Sequence, residues 1–413
     1  MSRRDLLEIY QAGIAAADGR RRVAEALAGQ APTTRGLHLF AIGKAAPAMA
    51  LGAYDAWGEA IVDGLIITRQ GYRSHTLEGR TGWRQLEAAH PLPDAGSLAA
   101  GTVLLQALAA TEPGASCLFL ISGGSSSLVE VLPPGVTLAD LRRANDWLLA
   151  SGLDIADINA VRRGLSTITD GGLLGHLAGR EVLALYVSDV PGDRLWDIGS
   201  GLLAPAPGSP LSPQLPPWLK TLLAAAPGAG PAPSAPVGEA PDVSHRVIAS
   251  SAIALAGCEA AAARRFEHVV RHDRRLDLPV NDAASEIVGT LRRGRPGIYL
   301  WGGETTLQLP PDPGRGGRCQ QLALSCALEL AGSDGLAVLC GATDGSDGIG
   351  DDAGALVDDR TTARGEAEGL SAKACLAAAD AGRFLAAAGD LISTGPTGTN
   401  VNDLVVGLRA AAG

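Results

Sequence analysis

Residues 37–49 read Leu-His-Leu-Phe-Ala-Ile-Gly-Lys-Ala-Ala-Pro-Ala-Met, and this stretch sets the pattern for the first half of the chain. The apolar run 37–42 predicts a short strand, Gly43 a turn, and the alanine-rich residues after it a helix. A strand, a glycine turn and a helix in this order present backbone N–H groups at the start of the helix, where an anion binds well. We therefore expect an anion site at this turn.

Lys44 stands at this turn, and its residue type is informative. The chain has only three lysines against 31 arginines, so arginine is its usual positive charge. A lysine offers a compact, mobile ammonium instead of a planar fork, which suits a role in chemistry. The other interpretation is an ordinary exposed lysine at the start of a helix, but a positive charge there opposes the helix dipole.

Length and composition narrow the class of protein. A chain of 413 residues is expected to form two domains rather than one core. The formal charge of −10 argues against a nucleic-acid partner. No apolar run approaches the ~20 residues that a membrane span needs, and the N-terminus lacks the apolar segment of a signal peptide. The six cysteines form no CxxC pair or zinc spacing, which favours reduced thiols and a cytoplasmic location.

Strands and helices alternate along the first half of the chain. After a helix predicted over residues 4–29, apolar runs at 37–42, 64–68, 117–121 and 182–187 predict strands, separated by helical patterns. This alternation predicts a parallel sheet, in which ligands bind beyond the carboxyl ends of the strands. Three of these strand ends carry polar, glycine-containing turns, at 43–44, 122–127 and 188–193.

The second half restarts the alternation after a proline-rich stretch. Residues 204–241 contain eleven of the 25 prolines and predict a loop with one short helix or a connection between domains. From residue 247 onward, strands again end in polar turns, at 302–306, 341–348 and 394–403, and residues 315–321 open a long helix.

The motifs favour the handling of phosphate groups. The sequence lacks G-x-x-x-x-G-K-[ST], G-x-G-x-x-G and G-x-S-x-G, which leaves a Walker ATPase, a standard dinucleotide site and a serine hydrolase unsupported. It offers glycine turns rich in N–H groups, cations beside glycines, and carboxylates at strand ends. Phosphoryl transfer uses such parts, with carboxylates holding Mg²⁺. Asp344 and Asp347 fit two interpretations equally, as metal ligands or as turn-forming Asp-Gly pairs.

Nine segments of the chain, in order, resemble the MOFRL-type glycerate 2-kinases, a family long labelled hydroxypyruvate reductases. The most distinctive segment is the last, which reads Thr-Gly-Pro-Thr-Gly-Thr-Asn-Val-Asn-Asp. The likeness runs from about residue 5 to 405, through 43–46, 90–94, 122–126, 158–163, 188–193, 302–306, 316–318, 343–348 and 394–403.

The resemblance implies an α/β fold of two α/β domains. The N-terminal domain, over 1–240, is expected to be Rossmann-like, with a parallel sheet, helices on both faces and the proline-rich loop 204–241. The smaller C-terminal domain, over 241–413, is expected to be of the MOFRL type, with the active site in the inter-domain cleft. The resemblance also implies ATP- and Mg²⁺-dependent phosphorylation of D-glycerate at its 2-hydroxyl, giving 2-phosphoglycerate. The family's active-site lysine and arginine map onto Lys44 and Arg318.

From the motifs and the resemblance together we predict the residues that carry the reaction. Catalytic roles are expected for Lys44, Arg318 and Asp189. The expected partners are D-glycerate and ATP, with no nucleic acid and no membrane; the assembly state is open, with a homodimer as one option. Substrate or nucleotide contacts are predicted from Gly43, Ser122, Gly123, Gly124, Ser125, Asn159, Arg162, Glu304, Thr397 and Asn400, and Mg²⁺ ligands are predicted at Asp189, Asp193 and Asp344.

The chain departs from the family pattern in three places. Cys319-Gln320-Gln321 stands where the family usually reads Asn-Gln-Glu, Thr169 stands where Lys is common, and residues 200–203 lack the Ser-Gly-Pro pattern. Two other functions therefore stay open. One is an NAD(P)H-dependent hydroxypyruvate reductase, which the missing dinucleotide fingerprint argues against. The other is a non-catalytic homologue that binds sugar acids.

Overall fold

The structure is a computed structural model that describes residues 3–30, 32, 36–151, 153, 155–207, 215–225, 241–348 and 350–411. Most of the loop predicted over 204–241 lies outside the described residues. The chain divides into two compact units. We call Gly19–Ile248 the N-terminal unit, and Met1–Asp18 together with Ala249–Gly413 the C-terminal unit.

The described strands are β1 (Leu37–Ile42), β2 (Ile61–Arg69), β3 (Trp83–Ala88), β4 (Ser116–Ile121), β5 (Glu181–Val187), β6 (Asp242–Ala249), β7 (Val269–Arg271), β8 (Gly297–Gly303), β9 (Leu336–Ala342), β10 (Gly354–Asp358), β11 (Leu391–Ile392) and β12 (Asp403–Arg409).

The described α-helices are α1 (Arg3–Ala16), α2 (Gly19–Leu27), α3 (Ala46–Trp57), α4 (Ala95–Ala110), α5 (Ser125–Leu128), α6 (Leu138–Ala150), α7 (Ile155–Gly164), α8 (Pro217–Ala225), α9 (Ser251–Ala262), α10 (Val280–Arg293), α11 (Arg318–Leu330), α12 (Thr361–Ala367), α13 (Ala372–Ala377) and α14 (Ala381–Ala388). Among these helices, none combines the length and the apolar character that a membrane crossing requires.

The N-terminal unit is built on a sheet with the strand order β3-β2-β1-β4-β5-β6. Strands β1 to β5 pair in parallel, as the alternation of strands and helices predicts. Every residue of β4 is buried, which fits a strand covered on both faces. Phe40 and Ile42 of β1 pack into one apolar cluster with α4, while the alternate residues of β1 are buried on the face that α3 covers. The predicted parallel sheet with helices on both faces is therefore confirmed.

A second apolar cluster joins α6, α7 and α8 beside this sheet. Its buried members include Leu141 and Leu148 of α6, Val161 of α7 and Leu219 of α8. This layer places α7, which carries Asn159 and Arg162, in the same unit as the strand ends that follow β1 and β4.

The C-terminal unit is built on a second sheet with the order β11-β10-β9-β12-β8-β7. Only the pair of β7 and β8 is parallel, and the other four pairs are antiparallel. Helices α10 and α11 pack on this sheet through a large apolar cluster that includes Ile287, Leu291, Leu324 and Trp301. Helix α1 packs against α9 and the sheet, where Tyr10 Oη donates a hydrogen bond to Ala342 O at 2.6 Å.

The observed units differ from the predicted ranges 1–240 and 241–413 at both ends of the N-terminal range. Helix α1 belongs to the C-terminal unit, because the helix predicted over 4–29 is two helices that separate at Ala17 and Asp18. Strand β6 lies beside β5 in the first sheet instead of opening the second one, and Tyr186 Oη lies 2.9 Å from His245 Nδ1 between these strands. The sequence pattern did not predict strands β10 and β12, which are internal strands of the second sheet.

Candidate active site

The turn after β1 forms where three parallel strands end side by side. Gly43 has φ +127°, and its N–H donates to Ile67 O of the neighbouring strand at 3.0 Å. A Cβ atom at this position would overlap Ser122 of the turn after β4. Only glycine allows the two turns to approach this closely.

Hydrogen bonds join the Lys44 turn to the turn after β4. The Lys44 N–H donates to Gly123 O at 3.1 Å, and the Ala45 N–H donates to Ser122 Oγ at 3.0 Å. Ser125 Oγ donates to Ile42 O at 3.1 Å. These contacts hold half-buried Lys44 at the carboxyl edge of the sheet, where the sequence predicts an anion site.

Ser122 and Ser125 hold these turns in place. Both residues have 0 % of their surface exposed, and their hydroxyl groups bond to the backbone. The contacts predicted between these two serines and a ligand stay a prediction, while Gly124 and Ser126 of the same turn are half-buried. The serine-rich sequence is explained by the bonding needs of the turn.

His90 adds a side chain to this site that the predicted set lacked. A Cβ placed on Gly124 would lie 3.0 Å from His90 Cδ2 and 3.4 Å from Lys44 Cγ, so the three residues adjoin. His90 follows β3 at the same edge of the sheet. A signal was present in the sequence, because this histidine directly precedes a proline, two residues after the end of β3.

Asp189 and Asp193 lie in the turn that follows β5. Both are half-buried, and Asp193 takes a left-handed conformation with φ +53°. Because β5 pairs in parallel with β4, this turn lies at the same edge of the sheet as the turn at 122–125. The two carboxylates are therefore placed on the side of the sheet where Lys44 lies.

Arg162 lies on α7 beside a small polar cavity of about 50 Å³. Its Nε donates to Asn145 Oδ1 at 3.0 Å, and burial lowers the pKa of its guanidinium. Asn159 is half-buried one helical turn earlier. The cavity also contains Ser126, which connects it along the chain with the turn after β4.

In the C-terminal unit, Arg318 and Glu304 form an ion pair. Arg318 is the first residue of α11, Glu304 follows β8, and Nη2 of the arginine lies 2.6 Å from Oε1 of the glutamate. Asn402 Nδ2 donates to the other carboxylate oxygen at 3.1 Å, and the Glu304 N–H donates to Asp277 Oδ1 at 2.8 Å. Glu304 thus acts as a fixed acceptor that orients the guanidinium.

Buried carboxylates surround the start of α11. Asp347 accepts hydrogen bonds from the N–H groups of Cys319 at 3.0 Å and Gln320 at 2.8 Å, so it caps the helix from another loop. Burial nevertheless raises the pKa of Asp347 to about 6. Burial likewise raises the pKa of Asp403 to about 7, although the charge of Arg318 opposes this shift. Burial lowers the pKa of Arg318, but Asp403 and Glu304 outweigh it, so the net direction is upward.

Thr343 connects the polar loop after β9 with the loop before β12 through hydrogen bonds. Its Oγ1 donates to Asn402 O at 2.7 Å and accepts from the Val401 N–H at 2.8 Å, while Thr397 Oγ1 donates to Thr343 O. Asn400 is buried in the same loop. Asp344 is also buried, and it accepts from the Ser346 N–H at 3.1 Å as a turn-forming aspartate does.

The described residues contain no group of three or more His, Cys, Asp or Glu side chains placed to hold a metal ion. A cage made wholly of protein ligands is therefore absent from the described part of the chain. This arrangement still fits Mg²⁺ as kinases use it, since the ion usually binds one or two carboxylates together with the phosphates of the substrate. Asp189, Asp193 and Asp344 remain the predicted ligands.

Comparison with known proteins gives matches along most of the chain. Residues 5–211 match a family described as a domain of unknown function, DUF4147, and residues 297–403 match the MOFRL family. The D-glycerate 2-kinase of Thermotoga maritima is 33% identical over 90% of this chain and 90% of its own length. The chain belongs to the MOFRL-type glycerate 2-kinase family.

Two further comparisons agree with this membership. The crystal structure of the Thermotoga maritima glycerate kinase superposes with a TM-score of 0.79 at 30% identity, covering 98% of this chain and 99% of that chain. A protein of Agrobacterium vitis carries a provisional name as a hydroxypyruvate reductase. It is 38% identical over 88% of this chain and 96% of its own length.

One departure from the family pattern has a local structural explanation. Gln321 is buried, and its Nε2 donates to Leu376 O at the end of α13 at 2.7 Å. A glutamate, as is usual in the family, could not donate this hydrogen bond in its ionised form. The amide thus serves the packing of α11 against α13 in this member.

Proposed function

We propose that this chain is a glycerate 2-kinase that transfers the γ-phosphoryl group of ATP to the 2-hydroxyl of D-glycerate. Membership of the glycerate 2-kinase family supports a phosphotransferase with an alcohol acceptor. ATP, Mg²⁺ and the individual roles of the residues are our proposal.

The observation that carries the proposal is the bonded pair of turns at Lys44 and at residues 122–125. Phosphoryl transfer is catalysed mainly by positioning and by groups that neutralise charge on the phosphoryl oxygens. The Lys44 ammonium supplies a mobile positive charge. Hydrogen bonds from the backbone N–H groups of Lys44 and Ala45 to the turn at residues 122–125 fix the main-chain position from which this side chain extends. Lys44 therefore neutralises the transferred phosphoryl group.

Arg318 provides the second positive charge of the reaction. Its pairing with Glu304 leaves further N–H groups of the guanidinium to bind an anionic oxygen of the nucleotide or of the substrate carboxylate. We propose that the sites of Lys44 and Arg318 serve the same reaction, so that loss of either side chain strongly lowers turnover.

Asp189 is the proposed partner of the attacking hydroxyl. A carboxylate within hydrogen-bond reach of a substrate hydroxyl orients it and takes its proton as the new P–O bond forms. Mg²⁺ bound with the nucleotide phosphates supplies further charge neutralisation, and Asp189, Asp193 or Asp344 would hold it.

A coupled assay of ADP release with D-glycerate tests the proposal, and identification of the product completes it. We expect ATP-dependent formation of 2-phosphoglycerate and a requirement for Mg²⁺. Formation of 3-phosphoglycerate would contradict the assigned position, and tight binding of D-glycerate without ADP release would favour a binding protein.

The reductase alternative has its own direct test. Incubation with hydroxypyruvate and NADH or NADPH should leave the nicotinamide absorbance unchanged if the proposal holds.

The state of the cysteines bears on the cellular compartment. All six cysteines are free and buried, which supports our proposal of a reducing location such as the cytoplasm.

A further inference from the structure

The small cavity beside α7 combines Arg162, a predicted substrate or nucleotide contact, with polar groups that have no role in the reaction described above. It lies wholly within the N-terminal unit, and its polar lining consists of Ser126, Ser127, Glu130, Asn145, Arg162, Thr169 and Ser200. Its volume is about 50 Å³. At about 10–15 Å³ for each water-sized group, it has space for roughly three or four such groups.

Arg162 brings a positive charge to this cavity and forms no ion pair with a carboxylate among the described residues. Among the described residues, its Nε bonds to the neutral amide of Asn145 at 3.0 Å, and no carboxylate opposes the effect of burial, which lowers its pKa. Arg318, by contrast, pairs with Glu304 at 2.6 Å. A guanidinium removed from water without a counter-charge is costly, so an anion in the cavity would stabilise it.

Glu130 lines the same cavity but does not pair with Arg162. Only 5% of its surface is exposed, and its Oε1 accepts a hydrogen bond from the Val131 N–H at 2.8 Å. Ser166 also donates to this carboxyl, whose pKa burial raises to about 7. The carboxyl group can therefore accept a hydrogen bond from a hydroxyl inside the cavity.

Thr169 supplies an unsatisfied polar atom in the same place. It is 6% exposed, and its Oγ1 has no hydrogen-bond partner among the described residues. Buried hydroxyls are nearly always paired, so an unpaired one that lines a cavity indicates a missing partner. Thr169 and Glu130 line the same cavity.

We propose that this cavity binds the carboxylate end of a small 2-hydroxy acid, with the carboxylate on Arg162 and a substrate hydroxyl on Glu130 and Thr169. The inference rests on the proposed function in naming D-glycerate as that acid. Only a ligand that carries both an anionic group and a hydroxyl satisfies both sides of the cavity. A metal cation would face Arg162, and a phosphate group would face the Glu130 carboxyl.

The position of the cavity suits this role. Ser126 lies two residues after Gly124, and Pro91 of the cavity wall follows His90 directly. Both Gly124 and His90 adjoin the side chain of Lys44. An acid held by its carboxylate in the cavity therefore lies next to the lysine that is proposed to neutralise the transferred phosphoryl group.

Calorimetric titration of D-glycerate into the full-length protein, without ATP, tests the proposal independently of turnover. We expect Arg162→Ala to weaken binding by about ten- to a hundred-fold, the usual loss of a charge-assisted hydrogen bond. Arg163→Ala is the matched control, since the neighbouring arginine on α7 does not line the cavity, and its affinity should stay within about two-fold of the wild type.

Two analogues separate the two halves of the pocket. Propionate keeps the carboxylate but lacks the hydroxyls, so Arg162→Ala should weaken it while Thr169→Val and Glu130→Gln leave it unchanged. Thr169→Val should weaken D-glycerate by about five- to tenfold, as expected for one neutral hydrogen bond, whereas Glu130→Gln keeps a carbonyl acceptor and should weaken it less. Glycerol, which lacks the carboxylate, should not compete.

Binding of D-glycerate to Arg162→Ala with wild-type affinity would overturn the proposal, and so would a wild-type protein that does not bind the acid. Thr169→Val keeps the test valid if Arg162→Ala fails to fold, because it changes a single hydroxyl. If binding follows the expected pattern but D-glycerate elicits no ADP release, the proposed binding in the cavity is supported and the proposed kinase function is wrong.

Discussion

Arg318 Nη2 lies 2.6 Å from Glu304 Oε1, although the two side chains are 44% and 43% exposed. An ion pair this exposed contributes little to the stability of a fold. Glu304 is itself fixed, since Asn402 donates to its second oxygen and its own N–H donates to Asp277. The relationship therefore matters for orientation, because it holds one side of the Arg318 guanidinium in place.

Replacing Glu304 by glutamine should lower kcat/KM for D-glycerate by about tenfold, because Arg318 loses its charged acceptor and with it about 1.4 kcal/mol of orientation. The stability of the variant should change by less than about 1 kcal/mol. Steady-state ADP release measures the first quantity, and thermal unfolding the second.

A double-variant cycle provides the control for this interpretation. If Glu304 acts only through Arg318, adding Glu304→Gln to Arg318→Ala should cause no further loss of kcat/KM. If the losses of kcat/KM in the two single variants simply add in the double variant, Glu304 has a role that does not depend on Arg318.

Lys44→Ala should reduce kcat by about a hundred-fold or more, since removal of one preorganised charge contact costs ~3–4 kcal/mol in the transition state. Lys44→Arg should restore little, because a planar guanidinium cannot take the place of a compact ammonium at this crowded turn. Lys220→Ala, at an exposed position of α8, is the matched control. Turnover near the wild-type value in Lys44→Ala would exclude the assigned role.

The sequence predicted those parts of the fold that depend on local pattern. The run Leu37–Ile42 and the glycine after it are enough to predict a strand and its turn, since burial on both faces demands a continuous apolar run. The parallel pairing in the first sheet follows from the alternation of strands with helices, whereas the order of its strands was not predicted. Strands β10 and β12 were missed because each lies next to loops rich in aspartate and glycine, and their pairing joins residues far apart in the chain.

Only part of the candidate site could be predicted from the sequence. Scarcity drew attention to Lys44, and a glycine-rich motif to Arg318. The cavity residues Glu130 and Asn145 gave no signal, because each stands alone in an ordinary apolar or helical context and acquires meaning only from its neighbours in space. Ser122 and Ser125 hold the turns through hydrogen bonds of their hydroxyl groups to the backbone, a structural role that the serine-rich motif did not reveal, and their contact with a ligand stays a prediction.

Arg3→Ala should lower the stability of the C-terminal unit by about 1–2 kcal/mol. Arg3 contacts Asp358 at 2.8 Å and Asp390 at 2.7 Å, and the Asp390 side chain is only 2% exposed. Arg364 also pairs with Asp390, so the loss is smaller than the ~3–5 kcal/mol of a fully unpaired buried charge. Arg4→Ala is the control, since Arg4 is 84% exposed and should cost about 0.5 kcal/mol or less in calorimetric unfolding. Equal losses would contradict this account of how α1 is held.

Glu130→Gln should make the ligand-free protein more stable than the wild type at alkaline pH. Burial raises the pKa of Glu130 from 4.5 to about 7 in the folded state. The buried carboxyl therefore imposes no penalty below pH ~4.5, where both states are protonated, and a penalty that grows as the pH rises to ~7, where the folded state ionises. A shift of this size corresponds to about 3 kcal/mol.

Chemical unfolding of both proteins between pH 5 and pH 8.5 measures this difference. The free energy of unfolding of Glu130→Gln minus that of the wild type should increase steadily with pH and level off above about pH 7.5. Glu181→Gln, at an exposed position at the start of β5, should give a difference that stays constant over the same range. A constant difference for Glu130→Gln as well would mean that the carboxyl is solvated in the folded protein. The sloping difference would instead establish that the cavity beside α7 holds a carboxyl that is protonated in part at neutral pH, as its proposed hydrogen bonding to a substrate hydroxyl allows.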